Sequence, residues 1–131
     1  MSPTQRTLAY LRKEGRRAQV VERWNQYARV RQDLFGCIDI VALGRRQILG
    51  IQATDGTSVA KRLTKMLTEK SAEVRDWLAA GGRLECWGWR KTGPRGKRKT
   101  WSVRRVHVVL SDDRLVALDL YDREFVAEEA G

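Results

Sequence analysis

The stretch that most restricts the fold is Asp33 to Thr54, DLFGCIDIVALGRRQILGIQAT. Two compact apolar runs, LFGCIDIVAL and QILGIQAT, are joined by Gly44-Arg45-Arg46, which predicts two strands folded into a hairpin. Each run carries polar residues where apolar ones are expected: Asp39 between Ile38 and Ile40, and Gln52 and Thr54 near the end of the second run. Strand alternation predicts Ile38 and Ile40 on one face, with Cys37, Asp39 and Val41 on the other. An ionised carboxylate in such a run is costly unless a cation or hydrogen bonds compensate it, so Asp39 calls for a partner, and a divalent metal is one. Gln52 and Thr54 share a face, and pairing through the turn brings that face beside Asp39.

The elements around this hairpin follow from periodicity and turn residues. Thr4 to Glu14 places Leu8, Tyr10 and Leu11 at roughly helical spacing, with Ser2-Pro3 as a start and Gly15 as a stop. AQVVERWN (Ala18 to Asn25) is rich in β-formers and predicts a strand. From Thr57 to Ala80, apolar residues at three- and four-residue steps predict one long helix, or two with a break near Ser71, closed by Gly81-Gly82. RLECWGWRK (Arg83 to Lys91) and TWSVRRVHVVL (Thr100 to Leu110) predict two strands around the turn-rich basic loop TGPRGKRK. The tail from Ser111 is open between strand and helix. The order is α-β-β-β-α-β-β plus a tail, an α/β fold with a mixed sheet and helices packed on it. At 131 residues the expectation is a single domain, 1–131, with an acidic extension from about 111.

Charge narrows the partner. The net charge is +10 and the pI about 10.3, a surplus that suits a polyanion, with nucleic acid ahead of an acidic membrane. It is uneven: Arg83 to Arg105 holds nine Lys or Arg against one Glu, while Ser111 to Gly131 holds seven acids against two Arg. Arg90, Lys91, Arg95, Lys97, Arg98 and Lys99 cluster around Gly93-Pro94 and Gly96, a loop suited to a phosphate backbone. Arg16, Arg17, Arg23, Arg29 and Arg31 add charge before the hairpin. Trp87 and Trp89 read as core, whereas Trp101 stands evenly between core and base stacking.

Cys37 and Cys86 lack the paired spacing of zinc sites and read as buried reduced thiols, and a lone His107 completes no two-His motif. No run approaches the roughly twenty apolar residues of a membrane span, and no signal-peptide core is visible, so a cytoplasmic protein without a membrane partner is expected.

GCIDIVAL with Gly36 and Asp39, followed beyond the hairpin by IQAT with Gln52, Ala53 and Thr54, resembles the PD-(D/E)XK nuclease superfamily, and within it the small Holliday-junction-resolvase-like and VRR-type nucleases. The resemblance runs from about Thr4 to Trp89. It implies a restriction-endonuclease-like core and a metal-dependent DNA nuclease acting on branched or structured DNA. It implies that Asp39, the side-chain oxygen of Gln52 and the Ala53 carbonyl hold Mg²⁺ or Mn²⁺, which lowers the pKa of an attacking water. It implies a further acid from the first helix or strand, with Glu22 preferred to Glu14 and Asp33 a third candidate. A homodimer is expected by resemblance, since a junction offers two symmetric strands. The departure is Thr54, where the family usually has Lys. Lys61 and Lys65, one turn apart on the following helix, are candidates to supply that charge. The rival expectation is a nucleic-acid-binding module with a degenerate nuclease core.

Overall fold

A computed structural model describes residues 1–120 of the chain. In chain order the elements are α1 (Pro3–Lys13), β1 (Arg17–Val20), β2 (Arg23–Asn25), β3 (Val30–Gln32), β4 (Ile40–Gly44), β5 (Gln47–Asp55), α2 (Val59–Leu67), α3 (Ser71–Ala79), β6 (Arg83–Thr92), β7 (Thr100–Ser111) and β8 (Arg114–Asp119). Helix α1 is capped reciprocally: Ser2 Oγ accepts from the Gln5 N–H, and Gln5 Oε1 accepts from the Ser2 N–H. Its end is marked by Gly15 at φ +83°.

Six strands form one mixed sheet in the order β1-β4-β5-β6-β7-β8, and β2 pairs with β3 in a separate two-stranded ribbon. Within the sheet only β5 and β6 run parallel, because α2 and α3 return the chain across one face before β6 begins. Each face buries its own apolar layer. Leu11 of α1 meets Ile40, Ala42, Leu49, Ile51, Trp87, Trp89 and Val103 on one side. Val59, Met66 and Val74 of α2 and α3 meet Cys37, Ile38, Leu84, Cys86, Val106 and Val108 on the other. Along β5, Leu49, Ile51 and Ala53 belong to the α1 side, so alternation turns Gln52 and Thr54 toward the α2–α3 side.

One close approach sets the position of α2. A Cβ at Gly88 would lie 2.2 Å from Val59 Cγ2, so the first turn of α2 rests on β6 only because that position has no side chain. The helical segment after the hairpin is divided at Thr68, whose φ of −120° and ψ of −80° leave the helical region, giving two helices rather than one.

Two expectations need correction, and the open reading of the tail is resolved in part. AQVVERWN is not one strand: Arg17–Val20 joins the main sheet, whereas Arg23–Asn25 turns away to pair with Val30–Gln32. The run from Leu34 to Leu43 is extended only from Ile40, because Phe35 (φ +55°) and Gly36 (φ +77°) form a tight turn closed by the Leu34–Ile38 bridge. Ile38 and Ile40 therefore lie in opposite core layers instead of sharing a face. The start of the acidic extension, Arg114–Asp119, is the edge strand β8, while 121–131 lie outside the described residues.

The β4–β5 connection is a two-residue turn in which Arg45 (φ +53°) and Arg46 (φ +59°) both take the left-handed conformation that Asn and Gly accept more readily. The nearby Arg45–Glu14 ion pair, at 3.6 Å with Arg45 61% exposed, contributes little. Replacing the pair as R45N/R46G is expected to raise unfolding stability by about 1 kcal/mol in urea denaturation; unchanged or lower stability contradicts this reading of the turn.

Candidate metal centre

Asp39 sits where β4 begins. Its N–H donates to the Ile51 carbonyl at 3.0 Å although Ile40 is the residue in register with Ile51, so two residues oppose one and the strand bulges. A bulge re-aims a side chain and ends regular pairing. Here the Asp39 carboxylate turns onto β5 and accepts the Ala53 N–H through both oxygens, each at 3.2 Å. The N–H and carbonyl of one strand residue leave on the same edge, so the Ala53 carbonyl also faces the Asp39 side.

The β2–β3 ribbon brings in two further acids. It leaves the body of the protein after Glu22 and returns at Asp33, and its register, Arg23 opposite Gln32, places Glu22 opposite Asp33 at its base. Oxygens of Glu22, Asp33 and Asp39 lie within 4.8 Å of one another. Gln52, 2% exposed, reaches the same group from β5, its Nε2 donating to Asp33 Oδ2 at 2.8 Å. That bond leaves Gln52 Oε1 as a buried acceptor with no hydrogen-bond partner among the described residues. An orphaned amide oxygen beside three carboxylates is a costly arrangement for an apo protein and a suitable one for a hard cation. Ligand oxygens facing each other across an octahedral Mg²⁺ stand about 4 Å apart, so small side-chain rotations suffice. The donors are all oxygen, which suits Mg²⁺ or Mn²⁺ rather than Zn²⁺.

The electrostatics follow from burial. Removal from water pushes the Asp39 carboxyl up to about 7. The Ala53 hydrogen bond and the Arg62 guanidinium pull it down, while the charges of Asp33 and Glu22 push it further up. Burial raises the Cys37 thiol to about 11 and the Cys86 thiol to about 12, the latter with help from the Asp39 charge. Both are free and buried, inert as nucleophiles at neutral pH.

The other candidates are distributed as follows. Glu14 faces Arg45 at the opposite end of the sheet from Asp39. Thr54, 5% exposed, is in register with Gly88 beneath α2. Lys61 is exposed, whereas Lys65 is half-buried and lines a cavity of about 660 Å³ with Asp33, Arg23, Arg31 and Lys70. Arg90 and Lys91 near the end of β6, and Arg95, Lys97, Arg98 and Lys99 on the loop that follows it, are all exposed, at the same end of the sheet as the carboxylates. Trp87 and Trp89 are core, and Trp101 is 44% exposed with the Arg6 guanidinium 3.7 Å from its ring centre.

Arg62 is not among the residues that the sequence motifs single out. It lies at i+3 from Val59 and i−4 from Met66, both fully buried, so it occupies the helix stripe that faces the sheet, whereas Lys61 does not. Its Nε is buried with no hydrogen-bond partner among the described residues. A cation on an apolar stripe is the signal available in the sequence. Compared with known proteins, the chain matches no family model, no curated sequence and no solved structure.

Because the folded Asp39 holds its proton more tightly than the unfolded chain does, its contribution to stability is full below pH 3.8 and is lost as pH rises toward about 7. A rise of this size amounts to about 4 kcal/mol. Metal-free protein is expected to lose thermal stability between about pH 4 and 7, and Asp39→Asn to flatten that slope. A wild-type slope that is flat or rising over this range contradicts the assignment.

Proposed function

We propose that the chain is a Mg²⁺- or Mn²⁺-dependent nuclease that hydrolyses phosphodiester bonds in branched or structured DNA, built on a restriction-endonuclease-like core. The observation that carries this reading is the three-carboxylate group of Glu22, Asp33 and Asp39, with Gln52 hydrogen-bonded to Asp33 and its own amide oxygen buried without a partner among the described residues. When bound there, a divalent cation supplies Lewis-acid activation of the scissile phosphate and of a water.

The protein's own residues do the rest. Glu22, Asp33, Asp39 and Gln52 Oε1 are the ligands, and the Ala53 carbonyl stands on the same side. Asp33 also positions a neighbour, since by accepting the Gln52 Nε2–H it anchors the amide beside the carboxylates and leaves the amide oxygen as the atom without a partner among the described residues. Arg62 takes the place of the lysine that Thr54 does not provide. Its charge is felt at Asp39, and a guanidinium there favours the extra negative charge of a phosphoryl transition state. Lys65, beside Asp33 in the cavity, and the exposed cations between Arg90 and Lys99 hold the flanking phosphates.

A DNA-binding module without catalysis is the second reading. It is favoured by Thr54, and by the Arg31 guanidinium, which already engages Glu22 at 3.0 Å.

Purified protein with Mg²⁺ or Mn²⁺ is expected to cleave flap or four-way DNA. Asp39→Asn should abolish cleavage while leaving metal-free DNA binding intact. Arg62→Ala should lower kcat by about 10²- to 10³-fold, and Thr54→Val should change it little. Binding without cleavage under either ion overturns the enzyme and supports the module.

A further inference from the structure

The β2–β3 ribbon does more than bring Glu22 and Asp33 together. It stands away from the two core layers, and three of its large side chains lie open to solvent: Trp24 at 60%, Tyr27 at 91% and Val30 at 48%. Exposed aromatics on a short two-stranded ribbon contribute nothing to a core, and a ribbon of this size gains little stability by itself.

Register shows where these side chains point. Trp24 is paired with Arg31 across the ribbon, so the two share a face. Glu22 and Asp33 stand two residues from them on the respective strands, which returns them to that same face. The Arg31–Glu22 ion pair at 3.0 Å is the contact expected of such neighbours. Trp24 is thus the next rung beyond the carboxylates, about 7 Å along the strand from Glu22. At the tip, Asn25 Oδ1 accepts the N–H groups of Tyr27 and Ala28, both at 3.0 Å, fixing the turn that presents the Tyr27 ring. Between the ribbon and the helices runs the cavity lined by Arg23, Arg31, Lys65 and Lys70, with Asp33 at its inner side.

Four cations around a cavity that Asp33 also lines, next to a hollow that Arg23 shares with the exposed rings of Trp24 and Tyr27, match one ligand chemistry: a phosphate backbone whose bases are free to stack. A fully paired duplex offers phosphates but hides its base faces. We propose that the β2–β3 ribbon is a recognition arm for an unpaired DNA strand, with Trp24 and Tyr27 stacking on bases next to the phosphate at the carboxylates, and with Arg23, Arg31, Lys65 and Lys70 on the backbone. This rests on the nuclease reading for the direction of the strand, but stacking on the arm needs no metal and no cleavage.

The test uses the full chain in EDTA, with fluorescence anisotropy on a labelled 15-mer, single-stranded or as a blunt duplex. W24A and Y27A are each expected to weaken single-strand binding by about tenfold, W24F to keep most of it, and all three to leave duplex binding unchanged. Thermal midpoints should match wild type, since the arm lies outside both core layers. Single-strand binding that W24A/Y27A leaves unchanged, or that falls equally with duplex binding, overturns the arm. Its failure is distinct from that of the nuclease: a cleaving enzyme whose W24A/Y27A variant binds single strands normally loses only the arm. Tryptophan-dependent strand binding without cleavage loses only the nuclease.

Discussion

The rest of the structure depends on how one buried carboxylate is compensated. Asp39 is 4% exposed and receives a single backbone N–H, while two other carboxylates approach within 4.8 Å. Glu85 is equally buried and shows what a structurally settled carboxylate looks like in this same protein. It accepts from Arg83 at 2.8 Å, from Arg105 at 2.9 Å and from Trp87 Nε1 at 3.0 Å. Burial pushes the Glu85 carboxyl up, but the two guanidiniums outweigh it and hold the group below the ordinary range. Asp39 moves the other way. One buried acid is satisfied by two guanidiniums and an indole, and the other by a single backbone N–H beside two further carboxylates.

Each part of the fold contributes to that difference. The bulge at Asp39 turns its carboxylate onto Ala53, and the parallel pairing of β5 with β6 keeps Gln52 buried in mid-sheet rather than at an edge. The β2–β3 excursion inserts two acids without disturbing either core layer. Gly88 admits Val59, and the helix seated there carries Arg62 on its inner stripe. No helix among the described residues is long and apolar enough to cross a membrane.

Much of this is legible in the sequence where local chemistry decides the outcome. Ser2-Pro3 and Gly15 bound a helix by capping, Gly44-Arg45-Arg46 closes a hairpin, and the apolar spacing from Val59 to Leu78 gives helices with a break before Ser71. Asp39 and Gln52 stand out as polar residues in apolar runs. Illegible features are those that depend on residues distant in the chain. The turn at Phe35-Gly36 hides inside an apolar run, because a phenylalanine at positive φ has no sequence signature, and it breaks the alternation expected of Ile38 and Ile40. The meeting of Glu22 with Asp33 requires the ribbon between them, which reads as ordinary polar chain. Arg62 is masked by the lysines at i−1 and i+3, which draw attention to the exposed side of α2.

The central claim is that Glu22, Asp33, Asp39 and Gln52 share one divalent cation. Anomalous diffraction from crystals soaked in Mn²⁺ locates that ion directly. A single strong peak among the three carboxylates, within about 2.0–2.3 Å of an Asp39 oxygen and of Gln52 Oε1, is the expected result. No peak there, with Mn²⁺ bound elsewhere or not at all while Gln52 Oε1 is found on an ordered water, contradicts it.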